Sequence, residues 1–335
     1  MSTNANFELR LVDALKPIRA FALAQGIYHL FESGIFEQID RGDLPIHSLA
    51  KSLNMRPDRL EGFLRFLANE DLVSLEGGTV SLTERGQNLR DFRPWYELLI
   101  GGYAQTFQQI TEVLSGKKYA SRDGRMVSIG SCGISQYDAL PLVRELLSDM
   151  STSPSELIDI GCGDGRFLID IMRDYPEVPA VGVDPFAPAE KRRGRLRFEQ
   201  LSAIDYLHTL RFDSNGVTSP PRLFIAAFLL QEVLEQSGRA VVVDMVRTII
   251  QGGAYLAIIE VDAEPENPAI LRSGLGLAYY NPYYLVHVLT EQRLESLDFW
   301  LHLFDEAGAS VVSRRAVNPD VDSTGLLFGC LLRAT

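Results

Sequence analysis

One stretch limits the folds open to this chain more than any other: Leu157-Ile-Asp-Ile-Gly-Cys-Gly-Asp-Gly-Arg-Phe-Leu168. A short apolar run meets three glycines at alternate positions, and a helical pattern starts behind them. The stretch reads as a buried strand, a tight turn and a helix start. Gly161, Gly163 and Gly165 free the backbone to turn sharply and let a ligand lie close against it. The same rhythm continues downstream. Ala180-Val-Gly-Val183, Leu223 to Phe228 and Ala254 to Ile259 read as further buried strands, mostly separated by helical stretches. Val311 onward and Leu326 to Leu332 make a closing pair. The pattern predicts an α/β fold with a doubly wound, largely parallel sheet, binding its ligand at the carboxyl ends of the strands.

Two acids narrow the ligand. Asp159 lies inside the first strand, and Asp184 ends the second, 25 residues later. Asp184 is placed to accept hydrogen bonds from a ribose diol. A glycine turn alone is weak evidence, because dinucleotide folds use similar ones. The G-x-G-x-x-G fingerprint of nicotinamide cofactors is not met, since position 166 is Arg. Asp-Ile-Gly-Cys-Gly-Asp-Gly followed by Asp184 resembles the S-adenosylmethionine-dependent methyltransferases. That resemblance implies a Rossmann-like sheet and S-adenosylmethionine as cofactor. Asp159, Gly161 and Gly163 would hold its methionine part and Asp184 its ribose hydroxyls. Ser202 and Ala203, after the third strand, would meet the adenine.

The first hundred residues read differently. Leu11, Leu15, Ile18 and Ala22 share a helical face, with a kink expected at Pro17. A short helix over Leu49 to Leu53 stops near Asn54, and Pro57 stands near the start of a stronger one. There Leu60, Phe63, Leu64 and Leu67 follow the i, i+3, i+4, i+7 rule. Two alternating segments flank Gly77-Gly78, a hairpin signal. Helix, helix and two-stranded wing make a winged-helix pattern. Its candidate recognition helix, Arg56 to Asp71, carries three arginines against four acids, whereas a DNA reader needs a positive face. Packing or dimerisation is therefore the expected role. From about Asp91 to Met150 the chain reads as connecting helices, with a loop suggested by Gly124, Gly130, Gly133 and nearby serines.

Composition agrees. At roughly 100–200 residues per domain, a chain of 335 residues divides into two domains. Its 32 basic and 44 acidic residues give a net charge of −12, which disfavours nucleic acid and anionic membrane as partners. The run Lys191-Arg-Arg-Gly-Arg-Leu-Arg197 reads as a solvated helix-and-loop face. Three cysteines without metal-type spacing suit a reducing cytoplasm. Met1 to Asn6 is polar and carries no leader pattern, and no apolar run reaches the roughly 18 residues of a membrane span.

Beyond the motif, residues 10 to 335 resemble the small-molecule O-methyltransferases of plants and bacteria, through Ile27-Tyr-His-Leu-Phe31, Leu49-Ala-Lys-Ser-Leu53 and Leu82-Thr-Glu-Arg-Gly86. The resemblance implies a homodimer through an N-terminal winged-helix domain, here 1–105. Connecting helices would fill 106–150 and the methyltransferase domain 151–335.

The chain departs from that group where chemistry is done. After the fourth strand, the O-methyltransferases carry a histidine that takes the substrate proton. Here Gln231 stands at that position and Glu232 at the following aspartate. Glutamine cannot act as a general base near neutral pH. This segment and Ala278-Tyr-Tyr-Asn-Pro-Tyr-Tyr-Leu-Val-His-Val-Leu289 resemble the C-methyltransferases of 2-oxo acids, most of all those acting on 2-ketoarginine (5-guanidino-2-oxopentanoate). Such a substrate loses a proton from C3 to give an enolate, so the site needs a base and a partner for the oxyanion. The resemblance makes His287, Glu232 and Gln231 the catalytic candidates. In the phenylpyruvate enzymes two histidines hold an iron; by position these are His287 and Gln231, and an amide oxygen is the poorer ligand. A divalent or ferric ion is thus a further expectation. Glu232 and Glu260, at the end of the fifth strand, are both suited to a guanidinium, and the sequence does not choose between them. A natural-product O-methyltransferase and a ligand-sensing winged-helix regulator are the other readings.

Overall fold

The computed structural model describes residues 3–210 and 221–335; the first two residues of the polar Met1–Asn6 stretch lie outside them. The chain divides into two compact units. The first takes the residues up to Ala104 together with Asp123–Gly130, and the second takes Gln105–Arg122 and Ser131–Thr335. No described helix is long and apolar enough to cross a membrane.

In the first unit, helix α1 spans Thr3–Glu32 and runs through Pro17 without ending there. Its later part packs, with Ile27, Leu30 and Phe31 buried. The earlier part leaves Leu11, Leu15, Ile18 and Phe21 exposed, Ile18 by 64%. Strand β1 (Leu44–Pro45) leads into helices α2 (Ile46–Ser52) and α3 (Pro57–Asn69). The expected apolar stripe on α3 is its buried face: Leu60, Leu64 and Leu67 are each at most 3% exposed, each contributing about 2 kcal/mol of burial. Its arginines pair with its own acids, Arg56 and Arg59 with Asp58 and Arg65 with Glu61. Strands β2 (Val73–Glu76) and β3 (Thr79–Leu82) form the hairpin, and β1 adds to β3. Gly77 and Gly78 both take positive φ, which suits the twist of a two-residue hairpin.

The loop expected around Gly124–Gly133 is instead helix α4, Gly124–Ile134. Gly130 is there for packing: a Cβ would lie 2.4 Å from the Leu98 backbone nitrogen. Glycine permits that approach within a helix, and a loop reading mistakes it for flexibility.

The second unit holds an eight-stranded sheet. Its strands are β4 (Leu157–Ile160), β5 (Ala180–Val183), β6 (Arg192–Arg193), β7 (Leu196–Glu199), β8 (Leu223–Ala227), β9 (Tyr255–Val261), β10 (Ala309–Ala316) and β11 (Leu327–Ala334). The order is β10-β11-β9-β8-β4-β5-β7-β6. The five strands from β9 to β7 are parallel, and the outer ones antiparallel. Strands β4, β5 and β9 are buried throughout, as a sheet covered on both faces requires. The order reverses beside β4, which opens the crevice where such sheets take ligands. The basic run 191–197 is a correction: Arg192–Arg193 and Leu196–Glu199 form a hairpin, not a helix and loop. Gly194, at φ +62, makes the turn, and Leu196 and Phe198 point inward while Arg197 points out.

Candidate active site

The glycine turn is tied to the next strand. Gly161 and Cys162 N–H both donate to Val183 O, at 2.7 and 3.1 Å, and Gly163 N–H donates to Asp184 Oδ2 at 3.1 Å. Asp184 Oδ1 accepts from Phe186 N–H at 2.7 Å. Gly165 heads the helix Arg166–Met172 at φ +81, where a Cβ would meet the Phe198 ring at 2.6 Å. Position 165 therefore has no room for a side chain. Asp159 is 2% exposed; burial and then the neighbouring Asp184 push its carboxyl up to about 7. Two acids crowded at a glycine turn suit a cofactor that brings positive charge. S-adenosylmethionine has an ammonium and a sulfonium, and these residues fit it. Ser202 caps the helix Ala203–Thr209: its Oγ accepts from Asp205 N–H and donates to Asp205 Oδ2. Ala203 is buried in the same core as β5.

A second polar group gathers beyond strands β8 and β9. Phe228, leaving β8, takes φ +57, strained for an aromatic residue. Helix α5 (Leu230–Ser237) follows. Leu229 lies against the glycine turn, since a Cβ on Gly161 would be 3.1 Å from it. The next two residues are fixed by Glu260 of β9, whose Oε1 accepts from Leu230 N–H at 2.9 Å and Gln231 N–H at 3.4 Å. Glu260 is 1% exposed, and burial pushes its carboxyl up to about 8. Gln231, also buried, donates its amide N–H to Phe228 O at 3.3 Å. Gln231 Oε1 and Glu260 Oε2 are both buried with no hydrogen-bond partner among the described residues.

Glu232 faces a different neighbour. Its Oε1 accepts from Arg122 at 2.8 Å and from the Gln292 amide at 3.2 Å. Gln292 in turn accepts from the Thr290 hydroxyl, at the end of helix α6 (Asn281–Leu289). His287 lies in α6 with its ring centre 3.9 Å from that of Tyr283. Its Nδ1–H donates to Tyr283 O at 2.7 Å, because a carbonyl can only accept, and Nε2 therefore carries the lone pair. Burial first, with the charge of Arg122 adding to it, pulls the imidazole down to about 3. His287 is thus neutral at working pH. Replacing it with alanine should lower turnover more than cofactor affinity. Equal turnover of variant and parent would make it a packing residue.

A resident metal does not fit this donor set. His287 is accompanied by an amide at the other expected position. Among the described residues no three His, Cys, Asp or Glu side chains converge closely enough to hold an ion. The Arg122 guanidinium near His287 opposes a cation, so no step is derived through a metal.

Arg122 and Gln292 carried no signal in the sequence. Each is a lone polar residue in a polar stretch, and only the fold brings it to Glu232.

No model of a protein family matches the chain. It is 56% identical over 326 residues to the 2-ketoarginine methyltransferase of Streptomyces arginensis, covering 97% of this chain and 96% of the relative. Among solved structures it is similar to the mitomycin 7-O-methyltransferase MmcR, with a TM-score of 0.66, 14% identity, and 100% and 99% of the two chains covered. It is also similar to the O-methyltransferase NcsB1 of neocarzinostatin biosynthesis, with a TM-score of 0.59, 17% identity, and 94% and 96% covered. At such identities the two structures speak to the fold.

Proposed function

The chain belongs to the 2-ketoarginine methyltransferase family of S-adenosylmethionine-dependent methyltransferases, and from that premise we propose that it methylates C3 of 2-ketoarginine through an enolate. The observation that carries the reading is the Arg122–Glu232 ion pair beside His287. It sets a cation next to a carboxylate in a half-buried setting, the side chains being 20% and 30% exposed. When bound, S-adenosylmethionine supplies an electrophilic methyl group. Arg122 presents a planar fork of N–H donors to the carboxylate and keto oxygen of the substrate. Glu232 takes the proton from C3. The electron pair left behind moves towards the keto oxygen, where Arg122 stabilises the charge. Neutral His287, seated against Tyr283 and beside Arg122, bounds the substrate pocket and helps set where the keto acid lies. Asp159, Gly161, Gly163 and Asp184 hold the methionine part and ribose of the cofactor, with Ser202 and Ala203 at the adenine. Incubation with S-adenosylmethionine and a panel of 2-oxo acids tests this. The guanidino acid should gain one methyl group; failure of every panel member to gain one would contradict the reading.

O-methylation is the weaker reading, because position 231 offers no base. A DNA-binding regulator is weaker still, because the arginines of α3 are already paired with acids. We read the first unit as a winged-helix unit that pairs two copies of the chain. The support is the exposed apolar stripe of α1 at Leu11, Leu15 and Ile18, which calls for a partner surface. Sedimentation should show a dimer for the parent protein and a monomer for the double variant Leu15→Glu, Ile18→Glu. A parent that sediments as a monomer would remove the support. The three free cysteines suit a reducing compartment, and we place the protein in the cytoplasm.

A further inference from the structure

Resting on the reading that the substrate is a guanidino 2-oxo acid, we propose that Glu260 and Gln231 are the receptor for its guanidinium group. Each of these side chains is anchored at one end and unsatisfied at the other. Glu260 Oε1 holds the start of α5, and the Gln231 amide nitrogen holds Phe228 O. Among the described residues, Glu260 Oε2 and Gln231 Oε1 are buried without a hydrogen-bond partner, a state that folded proteins rarely tolerate. Burial alone favours the protonated Glu260 carboxyl, and a cation beside it restores the ionised acceptor. What the place lacks is a group rich in N–H and poor in acceptors. A guanidinium has five N–H donors in one plane and no acceptor, so it can serve a carboxylate oxygen and an amide oxygen together.

The other acids of the unit that lie near the site or the tyrosines are engaged. Glu232 Oε1 already accepts from Arg122 and Gln292. Asp322, buried beside the tyrosine cluster, accepts from the Tyr280 hydroxyl on one oxygen and from the Thr324 N–H and hydroxyl on the other. Asp159 belongs to the cofactor end. The glutamine also acquires a reason. A histidine at position 231 would become a cation on protonation and repel the guanidinium, whereas the amide oxygen accepts without titrating. Neighbouring side chains on a helix diverge by about 100°: Gln231 turns to Phe228 and Glu232 to Arg122 and Gln292, so the two meet different parts of one small molecule. The carboxylate end meets Arg122, and the cationic end meets Glu260.

The test compares kcat/KM for 5-guanidino-2-oxopentanoate and for 2-oxohexanoate, which lacks the guanidinium, in the parent protein, Glu260→Gln, Gln231→Leu and Asp322→Asn. Glu260→Gln keeps a carbonyl oxygen for α5 and turns the other end into a donor. It should cut kcat/KM for the guanidino acid by about a hundredfold and change that for 2-oxohexanoate by less than about threefold. Gln231→Leu should shift the preference the same way, by about tenfold, and serves if Glu260→Gln does not fold, as judged by melting and S-adenosylhomocysteine affinity. Asp322→Asn should keep the parent preference. The proposal is overturned if Glu260→Gln keeps that preference or if Asp322→Asn alone abolishes it. A second arm is independent of catalysis: calorimetry of propylguanidinium with the S-adenosylhomocysteine-loaded protein. Binding by the parent and at least about tenfold weaker binding by Glu260→Gln supports the receptor even if no 2-oxo acid is methylated. Equal binding by the two, or none by the parent, overturns it.

Discussion

Replacing Asp184 with alanine should weaken S-adenosylmethionine binding by at least about a hundredfold. The carboxylate does two things at the turn. Its Oδ2 accepts from Gly163 N–H and its Oδ1 from Phe186 N–H, which fixes the cradle, and each oxygen retains a further lone pair for a ribose hydroxyl. Hydrogen bonds to a charged group contribute about 1.5–3 kcal/mol each. Loss of two ribose contacts thus removes about 3–6 kcal/mol, and every 1.4 kcal/mol is about tenfold in affinity. Asp184→Asn keeps one acceptor and loses the charge, so it should fall between parent and alanine variant. Calorimetry with cofactor measures both. Unchanged affinity in Asp184→Ala would remove Asp184 from the cofactor site and leave it as a clamp on the turn.

Replacing Arg122 with methionine should lower kcat/KM for the keto acid by about a thousandfold, with cofactor affinity unchanged. Methionine preserves most of the volume and removes the charge. The guanidinium is assigned to the substrate carboxylate and the enolate oxygen, and loss of one oxyanion partner costs about 10²–10³ in rate. Arg122→Lys keeps the charge but loses the fork, and should recover only part of the activity. Arg122 also holds Glu232, so a structural role must be separated from a chemical one. Deuterium incorporation at C3 of the keto acid, with S-adenosylhomocysteine in the site, reads enolisation alone. The account expects exchange in the parent and its loss in Arg122→Met. Full exchange in Arg122→Met would show that the enolate charge rests elsewhere.

Much of this was legible in the sequence, for identifiable reasons. The glycine turn is readable because its conformation excludes other residues: Gly165 at φ +81 has an aromatic ring 2.6 Å from where a Cβ would stand. Strands buried on both faces read as continuous apolar runs. The α3 stripe and the Gly77-Gly78 turn are local patterns with local causes. Helix α4 was misread because Gly130 answers to a contact with Leu98, which no local rule contains. The basic hairpin was misread because β6 and β7 together span only six positions, too few for a period to show. Of the residues proposed for the site, Asp159, Gly161, Gly163 and Asp184 stand on one strand–turn–helix and its neighbour, so spacing exposes them. Arg122 meets Glu232 across 110 positions, and spacing says nothing of that. The sequence left Glu232 and Glu260 equal as guanidinium partners. Burial and hydrogen bonding separate them, since Glu232 is partly exposed and its Oε1 already accepts from Arg122 and Gln292, whereas Glu260 has a fully buried oxygen with no donor among the described residues.

The central claim is that carbon, not a heteroatom, receives the methyl group. It is tested most directly by carbon-13 NMR of the product made from methyl-labelled S-adenosylmethionine and 5-guanidino-2-oxopentanoate. The account predicts a labelled methyl bonded to C3, its protons coupled to the single hydrogen left there. A labelled methyl at the chemical shift of an O-methyl or N-methyl group would contradict it.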